Sequence, residues 1–126
     1  MLFIVTLTLV IPFSSTYAAG EWYYKGDRKL TYNSTYGFYD TANVYTGRRE
    51  LLIKSYMTVS GNYYVYEYDP GSRNDDYIGK LNNNGLRGYT IFNISNFIDG
   101  PNKKAEIYVM SYKNGGPYRD LAFYVR

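Results

Sequence analysis

The sequence predicts an all-β fold: a small antiparallel β-sandwich of about six to eight strands, with a small β-barrel as the runner-up. Three observations carry that prediction. Apolar residues recur with a period of about 2 rather than 3.6. Clusters of Gly, Asn, Asp and Pro interrupt the apolar runs every 8 to 12 residues or so. Tyrosine, a strong strand former, occurs 18 times in 126 residues.

The chain opens MLFIVTLTLVIPFSSTYAAG, an uncharged apolar run from Leu2 to Phe13 followed by small and polar residues. Thr16 and Ala18 stand where a signal peptidase requires small side chains, so residues 1–18 read as a secretory signal and 19–126 as a single β-sandwich domain. A bilayer span needs about 20 apolar residues, and Pro12, Ser14 and Ser15 cut this run short. Secretion, to the medium or the cell wall, is therefore the expected localisation.

The next two stretches, EWYYKGDRKLTYN and YGFYDTANVYTG, read as short strands with weak alternation. In RRELLIKSYMTVSG the pattern is clear: Leu51, Ile53, Ser55, Met57 and Val59 share one face, opposite Leu52, Lys54, Tyr56 and Thr58. NYYVYEYD sets Tyr64, Tyr66 and Tyr68 on one side of a strand and Tyr63, Val65, Glu67 and Asp69 on the other. LRGYTIFNIS supplies another strand, bounded by the turns NNNG and DGPNKK. Last, Ala105, Ile107 and Val109 alternate with Glu106, Tyr108 and Met110, and KNGGP leads into Leu121, Phe123 and Val125. Two alternating runs around a Gly-Gly turn predict a β-hairpin.

Composition excludes several chemistries. With no Cys and no His, the chain offers no Ser-His-Asp or Cys-His pair and no imidazole or thiolate metal site. An exported chain without cysteine also departs from the disulfide scaffolds common outside animal cells and fits a bacterial exoprotein, of a Gram-positive cell in particular. A net charge of only +3 argues against nucleic acid as a partner.

Two groups of residues point to binding. The rings of Trp22, Tyr64, Tyr66 and Tyr68 are candidates for contact with a glycan, a cell-wall polymer, a lipid surface or a protein, because a row of tyrosines on one strand face cannot all be core. The carboxylates of Glu67, Asp69, Asp75 and Asp76 gather around the loop YEYDPGSRNDDYIG. Calcium takes six to eight oxygen ligands and could use such a loop. In a solvated turn the same carboxylates need no cofactor, so calcium is the one cofactor expected, if any.

The stretch YEYDPGSRNDDYIGK resembles the third calcium loop of C2 domains, with Glu67, Asp69 and Asp75 at the ligand positions and Ile78-Gly79 closing the loop. That resemblance implies an eight-stranded sandwich and calcium-dependent contact with lipid or protein. Beside it stands the plainer reading of a strand, an acidic turn and a strand.

These readings lead to a non-enzymatic extracellular binding module. The alternative is a secreted antagonist, bacteriocin-like or an enzyme inhibitor, which the small size and a pI near 8.9 also permit. Catalysis would have to rest on carboxylates such as Glu50, Glu67 or Glu106, in a domain with little room for a cleft.

Overall fold

The computed structural model describes residues 20–70 and 75–126; the signal read at 1–18 lies outside them. Ten strands follow one another: β1 (Tyr23–Lys29), β2 (Thr31–Asn33), β3 (Phe38–Asp40), β4 (Val44–Thr46), β5 (Glu50–Ser55), β6 (Tyr64–Glu67), β7 (Asp76–Lys80), β8 (Gly88–Asn93), β9 (Ala105–Ser111) and β10 (Asp120–Val125). Two short 3-10 turns, Asn83–Gly85 and Ser95–Phe97, complete the described elements. Ten exceeds the expected six to eight because three of the strands have only three residues each, too short to show alternation in the sequence.

All pairings are antiparallel, and they build two open sheets. One has four strands in the order β1-β10-β5-β8; the other has six, in the order β2-β3-β9-β6-β7, with β4 also paired to β9. Neither sheet closes on itself, so the fold is a sandwich and not a barrel.

Alternation decides which side chains fill the space between the sheets. Leu51 and Ile53 of β5, Leu121, Phe123 and Val125 of β10, Val65 of β6 and Ala105, Ile107 and Val109 of β9 are all buried. Each large aliphatic or aromatic side chain buried this way contributes about 1.5 to 3 kcal/mol, so these inward rows dominate the stability of the fold. Tyr63 belongs to the same core with no exposed surface, and its hydroxyl donates to the Val59 carbonyl.

Two glycines allow the sheets to close. Gly85 has a φ of 75°, and a Cβ there would overlap the Tyr63 ring. At Gly79, on β7, a Cβ would meet the Phe92 ring of the opposite sheet at 2.6 Å. No other residue fits under these rings without displacing them.

The expected hairpin of the last two strands is corrected by the structure. β9 lies in the six-stranded sheet and β10 in the four-stranded one, so residues 112–119 cross between the layers. Gly115 and Gly116, with φ of 79° and 84°, carry the chain over Met57 and Val59. Both strands keep their alternation because both present one face to the same core, and a crossover therefore produces the same sequence pattern as a hairpin. A second departure is Met110, which is buried although it follows Val109; its register sets it between Asp40 and Tyr64 on the outer side of the sheet.

Candidate functional site

The outer face of the six-stranded sheet carries a ladder of rings. Tyr77 of β7, Tyr66 of β6 and Tyr108 of β9 stand opposite one another in register. Tyr66 stacks on Tyr108 with ring centroids 5.8 Å apart and planes 20° apart, and tilts against Tyr77 at 5.5 Å. Tyr64 meets the edge of Tyr77 at 6.3 Å. Such offset and edge contacts each add about 0.5 to 1.5 kcal/mol beyond area burial.

Beside this ladder a cleft of about 530 Å³ is walled by Tyr36, Phe38, Tyr68 and Tyr108, with Asp40, Thr41, Asn43 and Asp75 as its polar groups. Alternation on β3 explains part of it, since Phe38 and Asp40 face outward while Tyr39 packs on the core. Phe38 is itself held by rings, stacked on Tyr36 at 5.6 Å and edge-on to Tyr112 at 6.3 Å. The break between β3 and β4 supplies Thr41, whose backbone N–H and side-chain oxygen replace the missing ladder bonds to Val109 at 3.0 Å each.

Hydrogen bonds fix both cleft carboxylates. Asp75 accepts from the Tyr108 hydroxyl at 2.5 Å and from the Asp69 backbone N–H at 3.2 Å. Asp40 accepts from the Asn33 side-chain amide at 3.0 Å. Burial, followed by the hydrogen bond to the Asp75 carboxylate, holds the Tyr108 phenol far above its ordinary value, so it remains a donor at any physiological pH. Tyr66 is also raised, first by burial and then by its tyrosine neighbours.

The structure does not gather the four acidic candidates. Glu67 points inward with Tyr63 and Val65 and is only 3% exposed. Asp69 and Asp76 are exposed, and Asp75 turns into the cleft. Among the described residues no three His, Cys, Asp or Glu side chains form a group able to hold a metal ion. Burial raises the Glu67 carboxyl to about 7, with Asp99, Asp69 and Asp76 adding to the rise and a backbone hydrogen bond from Glu106 opposing it.

The four ring candidates are likewise separated. Tyr68 is exposed and lines the cleft, whereas Tyr64 and Tyr66 are half-buried supports of the ladder. Trp22 lies on the other layer, beneath the Arg126 guanidinium at 4.4 Å. Tyr36, Phe38, Asp40, Thr41, Asn43 and Tyr108 were not among the candidates read from sequence. The i, i+2 spacing of Phe38 and Asp40 in YGFYD was a usable signal for two of them; the rest depend on strand pairing across the sheet.

Comparison with known proteins adds a family. A family model described as "YndA coiled coil domain" matches residues 24–121. The chain is 32% identical over 120 residues to "Uncharacterized protein YndA" of Bacillus subtilis (strain 168), covering 94% of this chain and 84% of that protein. No solved structure matches. The words "coiled coil" do not describe the fold seen here: a coiled coil needs apolar residues every 3.5 positions or so along helices, and the described part of 24–121 consists of strands with two short 3-10 turns.

Proposed function

The chain belongs to the YndA coiled coil domain family, and from that premise we propose that it is a non-enzymatic, exported binding module that holds a glycan strand in the cleft of its six-stranded sheet. The observation that carries this reading is the cleft itself, of about 530 Å³, in which four rings face two carboxylates, an amide and a hydroxyl. Sugar rings present apolar faces edged with hydroxyl donors. Tyr36, Phe38 and Tyr68 suit those faces, and Asp40, Asn43 and Asp75 suit those edges. The volume falls within the usual range of about 300 to 1,000 Å³ for small-ligand sites. Pre-placed carboxylates also spare a ligand the cost of ordering them.

A binding role agrees with the composition. The chain has no His or Cys to act as base or nucleophile, and each cleft carboxylate already accepts a hydrogen bond from the protein. Pull-down on insoluble peptidoglycan, chitin and cellulose tests the proposal. Tyr36 is 70% exposed, so Tyr36→Ala should leave the melt unchanged and reduce retention on whichever polymer binds wild type by about tenfold, the loss expected for one stacking ring. Retention of wild type on none of the three polymers, or retention that Tyr36→Ala and Asp75→Asn both leave intact, would sink the idea.

A further inference from the structure

The four-stranded sheet carries a second surface that the cleft reading does not use. Cross-strand register aligns Tyr24, Tyr124, Leu52 and Ile91 in one row over its outer face, followed by a row of Asp27, Ala122, Lys54 and Tyr89 in which one acid offsets one base. Tyr24 and Tyr124 pack with centroids 5.3 Å apart. A shallow groove of about 320 Å³ between Trp22, Leu52, Tyr89 and Tyr124 has the Lys54 side chain as its one charged member. Ile91 is 47% exposed, the only aliphatic among the large apolar side chains exposed in the described residues. Arg48 lies over the Tyr23 ring at 4.1 Å and Arg126, which is paired with Glu50, over Trp22 at 4.4 Å, so this end of the sheet is edged by guanidinium groups.

Charge is divided unequally between the two layers. Of the 14 basic and 11 acidic residues in the chain, nine basic and four acidic lie on the four strands of this sheet or within two residues of their ends. That gives the layer +5 where the whole chain has +3, leaving −2 for the rest.

We propose that this face docks on an anionic lipid bilayer. Tyrosine and tryptophan rings prefer the headgroup level, where their apolar bodies and polar tips are both satisfied. Basic residues beside them are attracted to anionic headgroups, each by a modest amount that adds with number. The apolar groove discriminates between occupants. A glycan would find no carboxylate or amide in it, unlike the cleft on the other layer. A second copy of the chain would bring one +5 layer against another. A lipid surface supplies negative charge and acyl chains together, matching the basic edge and the row from Tyr24 to Ile91.

Trp22 is the only tryptophan in the sequence and sits in this groove, so its emission reports docking directly. The test uses the chain from Gly20 onward, which contains every described core side chain, with vesicles of phosphatidylcholine alone or mixed with an equal part of phosphatidylglycerol. Wild type should sediment with the mixed vesicles and shift its emission to the blue, and do neither with phosphatidylcholine alone. Tyr89→Ser with Ile91→Ser, both at exposed positions, should keep the melt and lower vesicle binding by about tenfold. Arg48→Glu with Arg49→Glu, two exposed positions immediately before β5, should remove the preference for anionic vesicles. Two results would overturn the proposal: an emission change saturated by soluble polyphosphate without vesicle binding, or a concentration-dependent dimer that the Tyr89 and Ile91 substitutions dissolve. Glycan retention is a separate readout, so this proposal and the cleft proposal fail independently.

Discussion

Replacing Glu67 by Gln should stabilise the protein at pH 8 and leave it nearly unaffected at pH 4.5. Glu67 stands in register between Ile107 and Asp76, on the inward side of β6, and is 3% exposed. Its carboxyl moves from 4.5 to about 7, chiefly because burial penalises the charge, and Asp99, Asp69 and Asp76 add repulsion. Well below pH 4.5 the group is protonated in both the folded and unfolded chains, and no penalty arises. As pH rises from 4.5 to 7 the unfolded chain releases its proton first, so stability falls through that window and then levels off. At about 1.36 kcal/mol per pH unit, the interval amounts to about 3 kcal/mol in full, of which about 2 to 3 kcal/mol is lost between pH 5 and pH 8. For a domain of this size that loss is worth about 10 °C or more in Tm. Urea denaturation of wild type and Glu67→Gln at both pH values reads the effect directly. Glutamine keeps the shape and hydrogen-bonding capacity of the protonated acid, so its own curve should be flat across the window. If the stability difference between the two proteins is the same at pH 4.5 and pH 8, the reasoning about this buried acid is wrong.

Other consequences can be checked on the same material. Tyr108→Phe removes the donor to Asp75, and because the acceptor is charged it should cost about 1.5 to 3 kcal/mol by urea denaturation and weaken glycan retention. Gly85→Ala forces a Cβ into the Tyr63 ring at a φ of 75° and should destabilise by at least about 2 kcal/mol, a loss that Tyr63→Leu in the same chain should partly relieve. Millimolar calcium should leave the melt where chelator does, since Glu67 is buried and Asp75 is engaged with Tyr108; a rise of several degrees in wild type alone would restore the acidic loop as a metal site. Arg126→Ala breaks a 2.5 Å ion pair with Glu50 whose partners are partly exposed, so the cost should stay below about 1 kcal/mol.

The architecture was legible because period-2 alternation is a direct record of which side chains face a core. Leu51, Ile53, Val65, Ile107 and Phe123 are buried where the alternation put them. Glu67 was legible in the same way, sharing parity with Tyr63 and Val65, yet a carboxylate near a strand end invites the assumption of water. The fate of β9 and β10 was not legible, because alternation records a strand's inner face and not the neighbour it bonds to. The cleft was hidden for the same reason: Tyr108 and Asp75 are 33 residues apart and meet only through the pairing of β9 with β6 and of β6 with β7.

A sandwich with a cleft on one outer face and an aromatic, basic surface on the other has a geometric consequence for the two proposals taken together. The two ligands would lie on opposite sides of one hydrophobic core about 10 Å thick, too far apart to touch and too firmly packed for one to deform the other's site. Their binding free energies should therefore add, with no coupling between sites. Saturating the chain with a soluble fragment of the retained glycan should leave its partition onto anionic vesicles unchanged within about twofold. A change of tenfold in either direction would mean that the two layers shift against each other on binding, and that the core is less rigid than its packing implies.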